Sequence, residues 1–370
     1  MEHSSGSLIP PALAVLDLLF LLLPLPLIVI ANWHDAPPTG SSTMARGAAF
    51  LGTAVWMLLA MVAAVSVILG LFTVAFSPPR PGLVFYAIVM LLTGIAAAAI
   101  ISDSVRSAIA RIIPIDPRSA VHATALVLTI VLVGSQLANQ LAVDVLSQQA
   151  SAGPELSPLD LVAQELPFLL AAVLGVGLFI RRGPAATMLR LGLVRPTGWQ
   201  LILGLGAAFV FFAFGNGMDA LNHALSPGTA QKVEAANQHL FGQLSNPLGI
   251  ATIALSAGIC EEALFRGAMQ PRLSILWTAI VFTTVHTQYG LSLDAVAVLV
   301  LAIGLGLIRR VANTTTSTVC HVVYNTLVGV VGVGVSGVLL GPAVIAGAVL
   351  VAASAAAFFT GRLGSLKTAP

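Results

Sequence analysis

The sequence predicts an all-α fold, a polytopic membrane bundle of about eleven transmembrane helices, and three observations predict it. Residues are 58% hydrophobic and only 8% charged, against about 25% charged in soluble domains. Apolar runs long enough to cross roughly 30 Å of hydrocarbon recur along the chain. Basic residues collect in alternate connections: thirteen of the 16 fall on one set of ends, Arg80 and Lys232 fall on the other, and Arg266 lies inside a run. The positive-inside rule then puts the N-terminus outside and the C-terminus in the cytoplasm.

In chain order the expected spans lie near 8–32, 47–76, 82–101, 120–146, 159–180, 199–221, 248–270, 273–289, 293–308, 313–335 and 337–360. The first lacks a positive leader in front of it and is too long for a signal-peptide core, so it reads as a span. Pro24, Pro26 and Pro167 fall inside spans, where neighbours must satisfy the carbonyls they free. The connection at 181–198 mixes arginines with leucines, a pattern suited to a helix lying on the membrane interface. The polar stretch 231–245 suits an external cap. Asp17, Gln136, Asn139, Gln140, Asp144, Glu165, Asn216 and Asp219 read as interhelical hydrogen-bonding groups, with 136–144 as a second polar face. Cys260 and Cys320 lie in apolar runs and read as small buried hydrophobes. A net charge of +2 with dispersed arginines excludes a nucleic-acid surface.

One run carries charge where charge is expensive. Glu261, Glu262 and Arg266 sit in an apolar span, at roughly 2.5 to 3.5 kcal/mol each on the most lenient scale. Glu262 and Arg266, at i and i+4 on a helix, can pair, and Glu261 points about 100° away, free for chemistry. Two further pairs follow on the next polar-bearing spans: Phe282 with His286, and His321 with Asn325. Each pair shares a helix face.

These are the parts for hydrolysing an amide bond. A carboxylate and a histidine can hold and deprotonate a water, while a second histidine and an asparagine can stabilise an oxyanion. Glu261, His286 and His321 are equally candidate ligands for a divalent metal such as zinc. No His-Glu-x-x-His motif is present to indicate a conventional zinc protease, so the cofactor stays open between none and a metal.

Glu-Glu-x-x-x-Arg (261–266), Phe-x-x-x-His (282–286) and His-x-x-x-Asn (321–325), in that order, resemble the three motifs of the CPBP family of intramembrane proteases, which includes the CAAX prenyl endopeptidases. The resemblance spans roughly residues 185–335 and includes the lead-in Leu191-Gly-Leu-Val-Arg-Pro. It implies Glu261 as general base sharing a water with His286, and His321 and Asn325 as oxyanion donors. Glu262 and Arg266 would shape the site, and Phe282 would pack the histidine. It also implies a membrane-anchored or lipid-modified peptide substrate and a bacterial cytoplasmic membrane. Family members have been read both as metalloproteases and as metal-free glutamate proteases. Residues 1–184 would be helices of unassigned role, and 336–370 a last helix with a short cytoplasmic tail.

Two other classes compete. Buried carboxylates and histidines also build proton relays, as in an ion-coupled transporter, but the ionisable cluster is confined to one third of the chain and no internal repeat is visible. A catalytically idle scaffold or immunity protein would not need every motif position filled. One geometric tension stands: with a turn at 270–272, Glu261 lies roughly 14 Å and His286 roughly 21 Å from the same membrane face.

Overall fold

The computed structural model describes residues 22–36, 42–76, 80–152, 155–332 and 340–360; most of the expected first span, with Asp17, lies outside the described residues. Helix is the regular structure of those residues, which otherwise hold turns, short connections and one isolated β-bridge between Leu178 and Arg182. Six stretches are long and apolar enough to cross a membrane: 52–76, 81–99, 120–142, 158–175, 198–225 and 247–285. The chain is a multi-pass membrane protein.

The first group of helices comprises α1 (Pro24–His34), α2 (Ser42–Phe76), α3 (Pro81–Ala99), the short α4 (Asp103–Ile109) and α5 (Ala120–Ala142). Small buried residues such as Ala63, Ala97, Ala120 and Ala123 line their common core, while Met57, Phe72, Phe85 and Leu92 stay more than half exposed, as lipid-facing positions should. Arg106 closes one end of this group from inside. It donates to the carbonyls of Ile100, Ile101 and Pro117 at 2.7, 2.7 and 2.6 Å, satisfying the backbone just beyond α3, whose own last turn is closed by the amides of Ile100, Ile101 and Ser102.

The second group begins with α6 (Val145–Ala152) and α7 (Pro158–Gly175), continues through the eight-residue α8 (Pro184–Leu191) to α9 (Gly198–Leu225), and caps itself with α10 (Pro227–Phe241). The expected interface and cap segments are thus both helical, α10 lying against α6 and tied to it by the Lys232–Asp144 ion pair. Then come α11 (Pro247–Glu261), a π-helical turn (Glu262–Met269), α12 (Gln270–Val285), α13 (Leu293–Val311), α14 (Thr314–Gly332) and α15 (Leu340–Phe359). The α9–α15 crossing is close because glycines face each other: a Cβ on Gly206 would stand 3.1 Å from the Gly347 carbonyl oxygen. Small residues permit such approaches between helices in lipid.

Residues 247–285 are the centre. Half of an 18-residue window of this stretch is buried, against 22–28% of the corresponding windows in the other five. It doubles back at Ser274, whose φ of 69° and ψ of 173° break α12. The reversal is required by the ring contacts, since Phe265 and Phe282 lie 5.1 Å apart, whereas one straight helix would separate them by roughly 25 Å. This moves the expected turn from 270–272 to 274. Glu261 and His286 then lie roughly 20 and 18 Å from it along their two legs, and the tension between their depths disappears. Gln270 Nε2 fixes the bend by donating to the Gly306 carbonyl at 2.9 Å, and Thr278 Oγ1 donates to the Ser274 carbonyl at 2.7 Å.

A serine in this backbone region, which glycine alone adopts freely, carries strain on the order of 1–3 kcal/mol. Ser274→Gly should therefore stabilise the protein by about 1 kcal/mol after the extra chain entropy of glycine is subtracted. Thermal unfolding in detergent should show the midpoint rise by a few degrees, and Ser274→Val should lower it.

Candidate active site

The hairpin and α14 meet over one small volume. Gly258 allows it: a Cβ there would stand 2.5 Å from Cγ2 of Val322, so α14 approaches α11 closely enough to bring His321 to the two glutamates. The π turn begins at Glu262, directly after Glu261, and such turns recur at functional sites because they re-aim the side chains beside them.

Glu262 and Arg266 are both fully buried and form the expected pair, Arg266 Nε lying 3.3 Å from Glu262 Oε1. The Arg266 guanidinium also lies over the Phe282 ring, 4.8 Å from its centroid, a cation–π contact strengthened by the absence of water. His321 Nδ1 stands 3.2 Å from the same Glu262 oxygen, and its Nε2 stands 3.8 Å from Glu261 Oε2. His321 therefore bridges the two carboxylates, a link that i, i+4 reasoning within single helices had no means of finding. On the other side of Glu261, Oε1 lies 4.0 Å from His286 Nε2. His286 Nδ1 faces the Phe282 carbonyl at 2.8 Å; a carbonyl only accepts, so Nδ1 carries the proton and Nε2 of the neutral ring presents its lone pair to Glu261. Phe282 packs on His286 with ring centroids 4.4 Å apart.

Asn325 sits one turn beyond His321 on α14, half-buried, and its amide hydrogen-bonds to no other described residue. Tyr289, not singled out from the sequence, stacks on His286 at 6.4 Å; an aromatic three residues after a histidine was the available signal. Glu165 on α7 is also buried, with Oε2 lacking a hydrogen-bond partner, on the side of the hairpin that α7 covers. Cys260 and Cys320 are buried free thiols. A cavity of about 370 Å³ lined by Gln136, Asn139, Val143, Val145, Gln148, Gln149 and Thr287 adjoins the residue next to His286; of the polar residues expected to share a face at 136–144, Gln136 and Asn139 line it, while Asp144 pairs with Lys232 at the surface.

Glu261, His286 and His321 are donor types that zinc takes, and both imidazoles are anchored through Nδ1 as metal-bound ones usually are. Their separations of 3.8 and 4.0 Å exceed the roughly 3.4 Å between neighbouring ligands of a tetrahedral zinc. Among the described residues no group of three or more His, Cys, Asp or Glu converges closely enough to hold a metal ion. As arranged, the three do not fit a metal.

No curated protein and no solved structure is detectably similar to the chain. A family model does match, over residues 243–327, which include both legs of the hairpin and every one of the seven motif positions. Residues 243–327 thus match the family model described as type II CAAX prenyl endopeptidase Rce1-like.

Proposed function

We propose that the chain hydrolyses a peptide bond of a membrane-associated or lipid-modified protein or peptide, with water activated between Glu261 and His286. The observation that carries this reading is the 4.0 Å separation of Glu261 Oε1 from His286 Nε2. It is too long for a direct hydrogen bond and the right span for one solvent oxygen about 2.8 Å from each. Such a water donates one proton to Nε2 and one to the carboxylate, which leaves a lone pair free to attack. As the new C–O bond forms, Glu261 takes a proton; it returns that proton to the amine as the C–N bond breaks.

Negative charge on the tetrahedral oxygen needs donors within an apolar site. Asn325 offers two amide protons. His321, held at Nδ1 by Glu262, turns its Nε2 toward the same space. Glu262 itself is neutralised by Arg266, so the pair holds His321 in place and takes no part in proton transfer. The amide-lined cavity beside Thr287 gives water a polar approach to His286. The N-terminus-outside orientation, the full count of about eleven spans and a bacterial cytoplasmic membrane belong to this same proposal, drawn from the basic-residue pattern and the family resemblance.

Glu261→Gln keeps the size of the side chain and removes the base, so cleavage should fall by about 10²- to 10⁴-fold while thermal unfolding stays close to wild type. Proteoliposomes with a membrane-anchored reporter peptide provide the rate, and terminal-peptide labelling of membranes carrying wild-type or Glu261→Gln protein provides the substrate. Full cleavage by the variant sinks the assignment. A second measurement concerns the metal: protein stripped by a chelator and free of zinc by elemental analysis should cleave at the untreated rate. Activity lost on stripping and restored by zinc would return Glu261, His286 and His321 to the role of ligands.

A further inference from the structure

A second cavity, of about 1030 Å³, lies between α1, α5, α7 and the back of the π turn, and none of Glu261, His286, His321 and Asn325 lines it. Its size stands at the top of the roughly 300–1,000 Å³ range of small-molecule pockets. The two ends differ in kind. One end gathers Arg118, Arg181, Arg182, Arg190 and Arg272 from four separate connections and helices. From there the lining follows α5 from Val121 to Ser135, a rise of roughly 21 Å, between apolar walls that include Leu25, Ile28, Leu132, Phe168 and Leu264.

The arginines outnumber the acids available to them. Asp35 is already engaged by Ser119 Oγ at 2.5 Å and the Ala120 amide at 2.9 Å, and Asp116 is exposed and accepts from the Arg118 amide at 2.9 Å. Arg190 and Arg272 donate only to backbone carbonyls, those of Gly267 and Pro114, at 3.1 and 3.2 Å, and Arg182 likewise reaches the Val176 carbonyl. Arg181 Nε is buried with no hydrogen-bond partner among the described residues. Burial first, and then the neighbouring Arg272, Arg182, Arg309 and Arg181, push the Arg190 guanidinium down to about 10: five arginines are crowded here with two carboxylates, Asp35 and Asp116, in the same lining.

We propose that this cavity binds an anionic phospholipid, with its phosphate among Arg181, Arg182 and Arg190 and an acyl chain running along α5 to Leu264 and Phe168. A free phosphate has no use for the apolar shaft, and a neutral lipid has no use for the arginines. Basic pockets between spans on one membrane face are suited to lipid phosphates, whose fork-like hydrogen bonding guanidinium matches. The proposal is independent of the protease reading, and so is its test.

Full-length protein purified in mild detergent is titrated with phosphatidylglycerol and with phosphatidylcholine, and bound lipid is counted by native mass spectrometry. Phosphatidylglycerol should bind at one site, roughly tenfold or more tighter than phosphatidylcholine. Arg181→Gln with Arg190→Gln should remove that preference, Arg181→Lys with Arg190→Lys should keep most of it, and Ala171→Phe, on the shaft wall, should weaken both lipids. Thermal unfolding without lipid checks that each variant is folded, and if the glutamine pair is not, the lysine pair and Ala171→Phe decide. Equal binding of the two lipids, displacement by inorganic phosphate at millimolar concentration, or a charge preference untouched by the folded variants overturns the proposal; the last would leave the shaft to another occupant, such as residues 1–21 of the chain itself.

Discussion

The buried Glu262–Arg266 pair is the constraint around which the centre of this bundle is arranged. Neither side chain has exposed surface, and an ion stripped of water is tolerable only when opposite charge and polarisable groups replace the solvent. Within the hairpin the replacement comes from both legs: Glu262 on the π turn, and the Phe282 ring from the return leg, over which the guanidinium lies. That second contact exists only because the chain reverses at Ser274. A backbone conformation costly to serine and a charge costly to the membrane are therefore parts of one arrangement, each justified by the other.

The pair also determines what its neighbours can do. Glu262 occupies His321 Nδ1, which aims the remaining ring nitrogen at Glu261, and the Phe282 carbonyl does the same for His286. Two imidazoles so oriented converge on a carboxylate that keeps one oxygen for each. Nothing in this requires Glu262 to exchange a proton. The consecutive glutamates face different partners because neighbouring residues on a helix point about 100° apart.

Much of this was legible in the residues themselves. The Glu262–Arg266 pairing and the Phe282–His286 contact follow from i, i+4 spacing, and the helical, membrane-spanning character follows from composition. The position of the turn did not. Pro271 and Arg272 look like a boundary because proline and charge usually mark one, but proline is tolerated in the first turn of a helix, and the structure uses it there before reversing three residues later. His321 bridging both glutamates was illegible for another reason: contacts between helices far apart in sequence depend on which small residue, here Gly258, lets them approach. Glu165 and Tyr289 gave only weak local signals, since a single polar residue in a span reads equally as a helix-to-helix hydrogen bond.

Helices that carry none of the motif residues, α5 of the first group and α7 of the second, pack around the same cluster. Leu132 and Val133 of α5 pack against the cluster of Phe265, Ala279 and Phe282, and Phe168 of α7 meets Phe265 edge-on at 5.9 Å. A chain of ring contacts thus runs from the wall of the large basic-ended cavity through Phe265 and Phe282 to His286. Close-packed rings of this kind transmit displacement, because a gap of even half an ångström forfeits a sizeable part of their dispersion contact. What fills the space behind Phe168 therefore bears on how firmly Phe282 is pressed against His286. The family-matched stretch 243–327 alone would lack those contacts: Leu132 and Val133 of α5 and Phe168 of α7 pack the ring stack that ends on His286.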